Sequence, residues 1–268
     1  QFDQADVYVF PQGEASKNLS TYEAILKDML KKQISRKDLL IALGGGVVGD
    51  MAGFAAATYM RGIEYINIPT TTLSQIDSSI GGKTAVDLYG RKNAVGAFWQ
   101  PSLVLIDPDT LQTLPFRQVS AGLAEAVKMG MICDSELFEL FEEDDYYDHI
   151  DEIIFRALKA KRDVVAKDER ETGLRKILNF GHTYGHAYES LHGFRYLHGE
   201  CVAMGMMTIL EDGELKERLR ATLTRLKLPL CCEYDRDALM DLMRNDKKAE
   251  HDRSEERRVG KECRSRWS

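Results

Sequence analysis

Four of the chain's six histidines fall within one short stretch, at positions 182, 186, 192 and 198. His182 and His186 are four residues apart, so in a helix they project from one face a single turn apart and can converge on one ion or one substrate. His192 and His198 follow within reach. Imidazole suits zinc, cobalt or iron, and a catalytic centre takes three protein ligands, often two His and a carboxylate, leaving a position open for substrate. The carboxylate must then come from elsewhere in the chain. A His pair at this spacing is more often a polar surface face or a satisfied core pair, and spacing alone leaves both readings open.

The acidic member of such a set has one good candidate. Ala121-Gly-Leu-Ala-Glu125-Ala-Val-Lys128-Met-Gly130 places a carboxylate and an ammonium three residues apart among small apolar residues, on one helical face and partly buried. A helical salt bridge is the plain alternative, but isolated surface pairs seldom sit in so apolar a stretch. Glu125 is therefore the expected ligand, whereas Cys201, among methionines, reads as core.

These residues need a scaffold, and the first half alternates strand and helix. Asp6–Phe10 reads as a strand, Ser20-Thr-Tyr-Glu23 as a capping box opening a helix to about Gln33, and Asp38–Leu43 as a buried strand. That strand runs into Gly44-Gly-Gly-Val-Val-Gly-Asp50 and a small-residue helix over Met51–Met60. Glycines at a strand-to-helix turn let backbone N–H groups approach a pyrophosphate. The spacing satisfies G-x-G-x-x-G, although Glu64, at the distance of the ribose-binding acid, begins the next strand (Tyr65–Pro69) instead of ending it and is not assigned that role. Gly82-Lys83-Thr84 resembles the end of a P-loop, but the first glycine of that motif would fall at Asp77, whose charge repels phosphate; a kinase or ATPase is thereby excluded. Lys83, and then Lys92 and Asn93 in Gly90–Phe98, are read as loop residues suited either to anions and hydroxyls or to plain solvation. The second half is helical, with further helices over Asp151–Lys167 and Cys201–Leu210.

Bulk properties narrow the class. A chain of 268 residues, 44% of them hydrophobic, buries a substantial core and divides into two domains. Net charge −7 argues against a nucleic-acid or membrane surface, and five cysteines without framework spacing point to free thiols in the cytoplasm. The chain opens at Gln1 with a strand-like run that has nothing before it to pair with, and from Ser254 it becomes arginine-rich without hydrophobic period. Both features lead to the expectation of strands missing upstream, a non-family tail over 253–268, and a fragment of low stability and activity.

Taken jointly, the motifs resemble a known family. They are Pro11-Gln-Gly-Glu14-Ala-Ser-Lys17, the glycine turn, Tyr59-Met-Arg61-Gly, Pro69-Thr-Thr-Thr, Asp77-Ser-Ser-Ile-Gly-Gly-Lys83-Thr, Gly90-Arg-Lys-Asn-Ala-Val-Gly, Ala124-Glu-Ala-Val-Lys128, Asn179-Phe-Gly-His182-Thr-Tyr-Gly-His186-Ala-Tyr-Glu189, His198-Gly-Glu200 and Asp246-Lys-Lys248. The chain is similar to the 3-dehydroquinate synthases, sugar-phosphate cyclases related to the iron-dependent alcohol and glycerol dehydrogenases, from about Phe10 to Lys248. The resemblance implies a Rossmann-like α/β domain binding NAD over 1–113 and a helical metal- and substrate-binding domain over 114–252. It implies a divalent ion, zinc or cobalt, held by Glu125, His182 and His198, with His186 as a catalytic or proton-relay group instead of a ligand. For NAD it implies Glu14, Lys17, Gly45, Gly46, Asp50, Thr70, Thr71, Asp77, Lys92, Thr113 and Leu114. For the substrate it implies Arg61, Lys83, Lys92, Asn93, Lys128, Arg175, Asn179 and the pair Lys247 and Lys248, with Lys83, Lys128, Arg175 and Asn179 also serving catalysis.

The implied reaction converts 3-deoxy-D-arabino-heptulosonate 7-phosphate to 3-dehydroquinate and phosphate, in the shikimate pathway. Its anionic substrate accounts for many cations in an acidic protein. Hydride moves to NAD⁺, phosphate is eliminated, hydride returns, and ring opening with aldol closure completes a lyase reaction in a cytoplasmic homodimer. The alternatives are a cyclase acting on another sugar phosphate, such as a 2-deoxy-scyllo-inosose synthase, a glycerol-type dehydrogenase, and an inactive fragment.

Overall fold

Asn18 opens the first helix, ahead of the expected capping box. Its side-chain carbonyl accepts a hydrogen bond from the Thr21 N–H at 2.9 Å, and α1 runs Leu19–Lys31 with Ile25 and Met29 turned into the core. The structure, a computed structural model, describes residues 5–193 and 195–247, with side chains as far as 243. It divides into two compact units, Gln1–Thr110 and Leu111–Ser268.

In the first unit, β1 (Leu39–Gly44) leads through α2 (Gly46–Thr58) to β2 (Glu64–Pro69), a crossover that makes the two strands parallel, in register from Leu39 opposite Glu64 to Gly44 opposite Pro69. A two-residue β5 (Leu103–Val104) pairs with β2, completing the order β1-β2-β5. Helix α2 begins inside the glycine run, not at Met51. Small residues bring it against β2 and the following hairpin: a Cβ on Gly53 would lie 2.4 Å from Thr84 Cγ2. Ile25, Phe54, Tyr59, Tyr65 and Val86 form the core beneath it.

Two local expectations fail here. Asp6–Phe10 is not a strand. Lys83, Lys92 and Asn93 are not loop residues, because β3 (Lys83–Leu88) and β4 (Arg91–Phe98) form an antiparallel hairpin. Its two-residue turn is Tyr89-Gly90, with φ of 48° and 73°, the doubly left-handed geometry that matches strand twist and favours glycine second.

In the second unit, α3 (Phe116–Cys133) is buried on every side from Val119 to Ile132, so it is a central helix. Around it pack α4 (Ser135–Leu140), α5 (Ile150–Lys167) and α7 (His198–Ile209), while α6 (His182–Leu191) packs on α7. Helices α8 (Glu214–Arg225) and α9 (Arg236–Lys247) follow, and the buried Cys201 is indeed core. Glycine sets the closest approaches of α7. A Cβ on Gly199 would sit 1.7 Å from the Ala121 carbonyl oxygen on α3, and one on Gly205 would sit 2.0 Å from the Gly181 oxygen that precedes α6. No helix among the described residues is long and apolar enough to cross a membrane.

Candidate active site

Helix α3 contributes Glu125, α6 contributes His182 and His186, and the first residue of α7 is His198. Because α7 abuts α3 at Gly199, the Glu125 carboxylate meets both flanking helices: Oε1 lies 3.5 Å from His182 Nε2 and 3.6 Å from His198 Nε2. Two donors held about 2.0–2.2 Å from one tetrahedral ion stand about 3.3–3.6 Å apart, so these spacings fit a shared divalent cation. The chemistry of the carboxylate agrees. Glu125 is fully buried, with Oε2 in an ion pair with the equally buried Lys128 and Oε1 facing the two imidazoles. A carboxylate so placed calls for positive charge.

The imidazoles are oriented to supply Nε2. His182 Nδ1 is 3.3 Å from the Phe180 carbonyl, and His198 Nδ1 is 3.6 Å from Glu189 Oε2. An acceptor facing Nδ1 favours the tautomer with its proton there, which leaves the Nε2 lone pair for a metal. His186 completes a triangle of rings, with centroids 5.3 Å from His182 and 5.7 Å from His198, and it is exposed. The three histidines alone also satisfy a metal-binding spacing, their nitrogens lying within 4.8 Å of one another. Glu125 is the better third donor, because its charge is fully buried, whereas His186 is exposed.

The electrostatics follow from this crowding. Burial alone would raise the Glu125 carboxyl, but Lys128, His182 and His198 outweigh it and hold it well below its ordinary value. Burial, with the Lys128 charge, pushes His182 well below the usual imidazole range. His198 is half-buried, which alone would lower it, yet the carboxylates of Glu125 and Glu189 prevail and raise it to about 9.

Arg175 and Asn179 lie on a 3₁₀ segment, Leu174–Asn179, packed against α3 and α5. Asp168 builds the approach to it, its carboxylate accepting from the backbone N–H groups of Thr172, Gly173 and Arg175, which lower its pKa to about 2. The buried Arg175 guanidinium donates to the Glu169 carbonyl at 2.5 Å, and the Asn179 amide donates to Glu171 at 3.0 Å. At the start of α7, Glu200 reaches back to the Leu197 N–H and takes both arms of Arg117 at 2.7 Å. Asp168 and Arg117 were not singled out from sequence, and Glu189 and Glu200 stood in the motifs without a role. Only Glu189 carried a local signal, being seven residues, nearly two helical turns, beyond His182.

In the first unit, the glycine turn lies at the carboxyl end of β1, where open parallel sheets bind ligands. A Cβ on Gly45 would come 2.9 Å from Thr71 Cγ2 and one on Gly46 3.1 Å from Ser78 Oγ, so protein packing also demands these glycines. Thr70 bonds back to Gly44 through its N–H, the Thr71 hydroxyl bonds Ser74, and Asp77 sits in a π-helical turn, Ser74–Ser78. Lys17 is buried and gathers several expected residues, with Nζ 2.5 Å from both Asp50 Oδ2 and Asn93 Oδ1 and 3.9 Å from Glu14; Lys92 is 3.8 Å from Glu14. Arg61 and Lys83 are exposed, the former with φ 68°. Thr113 and Leu114 belong to the second unit. Lys248 and the side chain of Lys247 lie outside the described residues, as does the tail.

Comparisons with known proteins show the family to which the chain belongs. Residues 7–121 match the family model 3-dehydroquinate synthase N-terminal, and residues 122–249 match 3-dehydroquinate synthase C-terminal. The 3-dehydroquinate synthase of Symbiobacterium thermophilum is 48% identical over 257 residues, 89% of this chain and 71% of that protein. Among solved structures, 2-epi-5-epi-valiolone synthase from Streptomyces hygroscopicus subsp. jinggangensis, with NAD⁺ and Zn²⁺ bound, is similar at TM-score 0.82 and 29% identity, covering 90% of this chain and 72% of that one. A 2-deoxy-scyllo-inosose synthase complexed with carbaglucose-6-phosphate, NAD⁺ and Co²⁺ gives 0.76 and 30%, covering 87% and 68%.

Proposed function

Because the chain belongs to the 3-dehydroquinate synthase family, we propose that it converts 3-deoxy-D-arabino-heptulosonate 7-phosphate to 3-dehydroquinate and phosphate with NAD⁺ and a divalent ion. The observation that carries the metal assignment is the fully buried Glu125 carboxylate, whose Oε1 faces two imidazole Nε2 atoms at tetrahedral spacing. Glu125, His182 and His198 would hold zinc or cobalt, which when bound lowers the pKa of substrate hydroxyls. NAD⁺ supplies a hydride acceptor that is restored within one turnover, so the enzyme is a lyase.

The chain's own residues do the rest. Backbone N–H groups at Gly45 and Gly46, the first turn of α2, face a pyrophosphate, with Thr70, Thr71, Asp77, Thr113 and Leu114 contributing to the same cofactor. Glu14, Lys17 and Asp50 pin the glycine helix to the β3–β4 hairpin. Arg61, Lys83, Lys92 and Asn93 bind substrate anions and hydroxyls, as do the Lys247–Lys248 pair, Asn179 and Arg175, the last with its guanidinium braced by the Glu169 carbonyl. Lys128 balances the charge of Glu125, and His186, exposed beside the ligand histidines, moves protons at Nε2 or Nδ1. The first unit forms the NAD domain and the second the metal domain, working as a homodimer in the cytoplasm.

Turnover tests this reading. The purified chain should release many phosphates per NAD⁺ from the heptulosonate phosphate, without net NADH and only with metal. The likeness to a 2-deoxy-scyllo-inosose synthase complexed with carbaglucose-6-phosphate supports a second reading, in which a hexose 6-phosphate is the substrate. Preferential turnover of hexose 6-phosphate would replace the first reading, and net NADH would point instead to a dehydrogenase.

A further inference from the structure

Glu189 ends the same helical face that carries His182 and His186, and the chemistry proposed above gives it no part. It is a carboxylate only 5% exposed, next in sequence to the core residues Ala187 and Tyr188. A buried charge at that depth requires a partner. Its Oε2 lies 3.6 Å from His198 Nδ1, on the opposite side of the ring from Glu125, whose Oε1 is 3.6 Å from Nε2. The imidazole therefore spans two carboxylates, each facing a different nitrogen.

We propose that Glu189 is a positioning residue for the metal centre, holding the Nδ1 proton of His198 so that Nε2 presents its lone pair to the cation bound by Glu125 and His182. The inference rests on the metal assignment made above and adds the residue that gives one ligand its tautomer and direction. His182 obtains the same service from a backbone carbonyl, that of Phe180 at 3.3 Å. His198 begins a helix, its ring reaches back to α6, and a side chain must supply the acceptor. A carboxylate does more than a carbonyl: it makes the imidazole a stronger donor to the cation. It also adds a negative charge to a cluster in which Lys128 already offsets that of Glu125.

The test compares Glu189→Gln, which keeps an acceptor oxygen but no charge, with Glu189→Ala, which keeps neither. Zinc affinity is read by competition with a chromophoric chelator, and the cobalt-loaded proteins are read by their visible absorption. Glu189→Ala should bind zinc about 10–100-fold more weakly and show an altered cobalt spectrum at saturating metal, with Glu189→Gln between it and the parent chain. Thermal unfolding in chelator controls for folding. If Glu189→Ala fails to fold, Glu189→Gln decides alone, a severalfold loss of affinity supporting the proposal and parental affinity overturning it. Parental affinity in both variants, or weakened binding with an unchanged cobalt spectrum, shows that Glu189 is merely structural and overturns the proposal while leaving the ligand assignment intact. A parent chain that binds no stoichiometric zinc overturns both.

Discussion

Replacing Gly199 by alanine adds one methyl group next to His198, a proposed metal ligand, and its cost can be worked from the packing. The new Cβ would lie 1.7 Å from the Ala121 carbonyl oxygen and 2.6 Å from its carbon. A carbon and a carbonyl oxygen approach to about 3.3 Å, so α7 must retreat from α3 by about 1.6 Å. The obstacle is backbone at the centre of a buried helix and cannot swing aside. The expected destabilisation is at the upper end of about 1–3 kcal/mol, which lowers Tm by roughly 4–10 °C. The same retreat carries His198, now 3.6 Å from Glu125 Oε1, beyond the roughly 3.6 Å that two donors on one tetrahedral ion can span. Zinc affinity should fall by at least tenfold, measured by chelator competition beside a circular-dichroism melt. A variant that melts within about 1 °C of the parent and keeps its zinc affinity would refute the argument that glycine-mediated contact builds the centre.

Three further substitutions separate the parts of the site. Lys128→Met strips a fully buried carboxylate of its ammonium, so the chelated protein should lose about 3–5 kcal/mol; excess zinc should narrow the deficit, and an equal loss with and without metal would contradict the charge balance described. Gly46→Val pushes a branched side chain toward Ser78 and the pyrophosphate path, weakening NAD⁺ by an order of magnitude or more while zinc affinity holds; unchanged NAD⁺ titrations would dispose of the glycine-turn assignment. Asp168→Ala releases the backbone N–H groups before Arg175, so KM for the phosphate substrate should rise more than kcat falls, with faster amide exchange at Gly173 and Arg175. Because the Asp168 pKa is depressed from 3.8 to about 2, its stabilising effect is complete above about pH 4 and fades as pH falls through about 2. The parent and Asp168→Ala should therefore differ at neutral pH and converge in strong acid; a difference that persists unchanged in acid would contradict the role of the carboxylate.

Local signals made much of this protein legible. The strand, glycine turn and small-residue helix of the first unit announced themselves by pattern, as did the helix that carries Glu125, while a helix over His182 and His186 was a condition of their pairing. The β3–β4 hairpin did not, because glycines beside Lys83, Lys92 and Asn93 read as loop chemistry, whereas only Gly90 makes the turn and a tyrosine takes its other left-handed position. Asn18 displaced the Ser20 box as cap because its side chain reaches Thr21 first, a choice between two adequate caps that pattern does not decide.

The site was legible in its composition and obscure in its pairing. Spacing joined His182 to His186, yet the carboxylate opposite His182 also faces His198, a residue on another helix. The approach of α7 to α3 that makes this possible depends on a contact between Gly199 and Ala121, far apart in sequence. Arg117 and Glu200 are 83 residues apart, and Lys17 and Asn93 are 76 apart. Such pairs exist only once the chain has folded. Family resemblance supplied the proposed ligand set, which periodicity could not, and the packing supplies a physical reason for it.

The central claim is that one divalent ion is bound by Glu125, His182 and His198, with His186 beside it as a proton carrier. Anomalous scattering at the cobalt edge, from crystals of the cobalt-loaded chain, tests it most directly. The account predicts a single peak about 2.0–2.2 Å from a Glu125 oxygen and from Nε2 of His182 and His198, with His186 uncoordinated. A peak ligated by His186 in place of Glu125, or one outside this cluster, would contradict it.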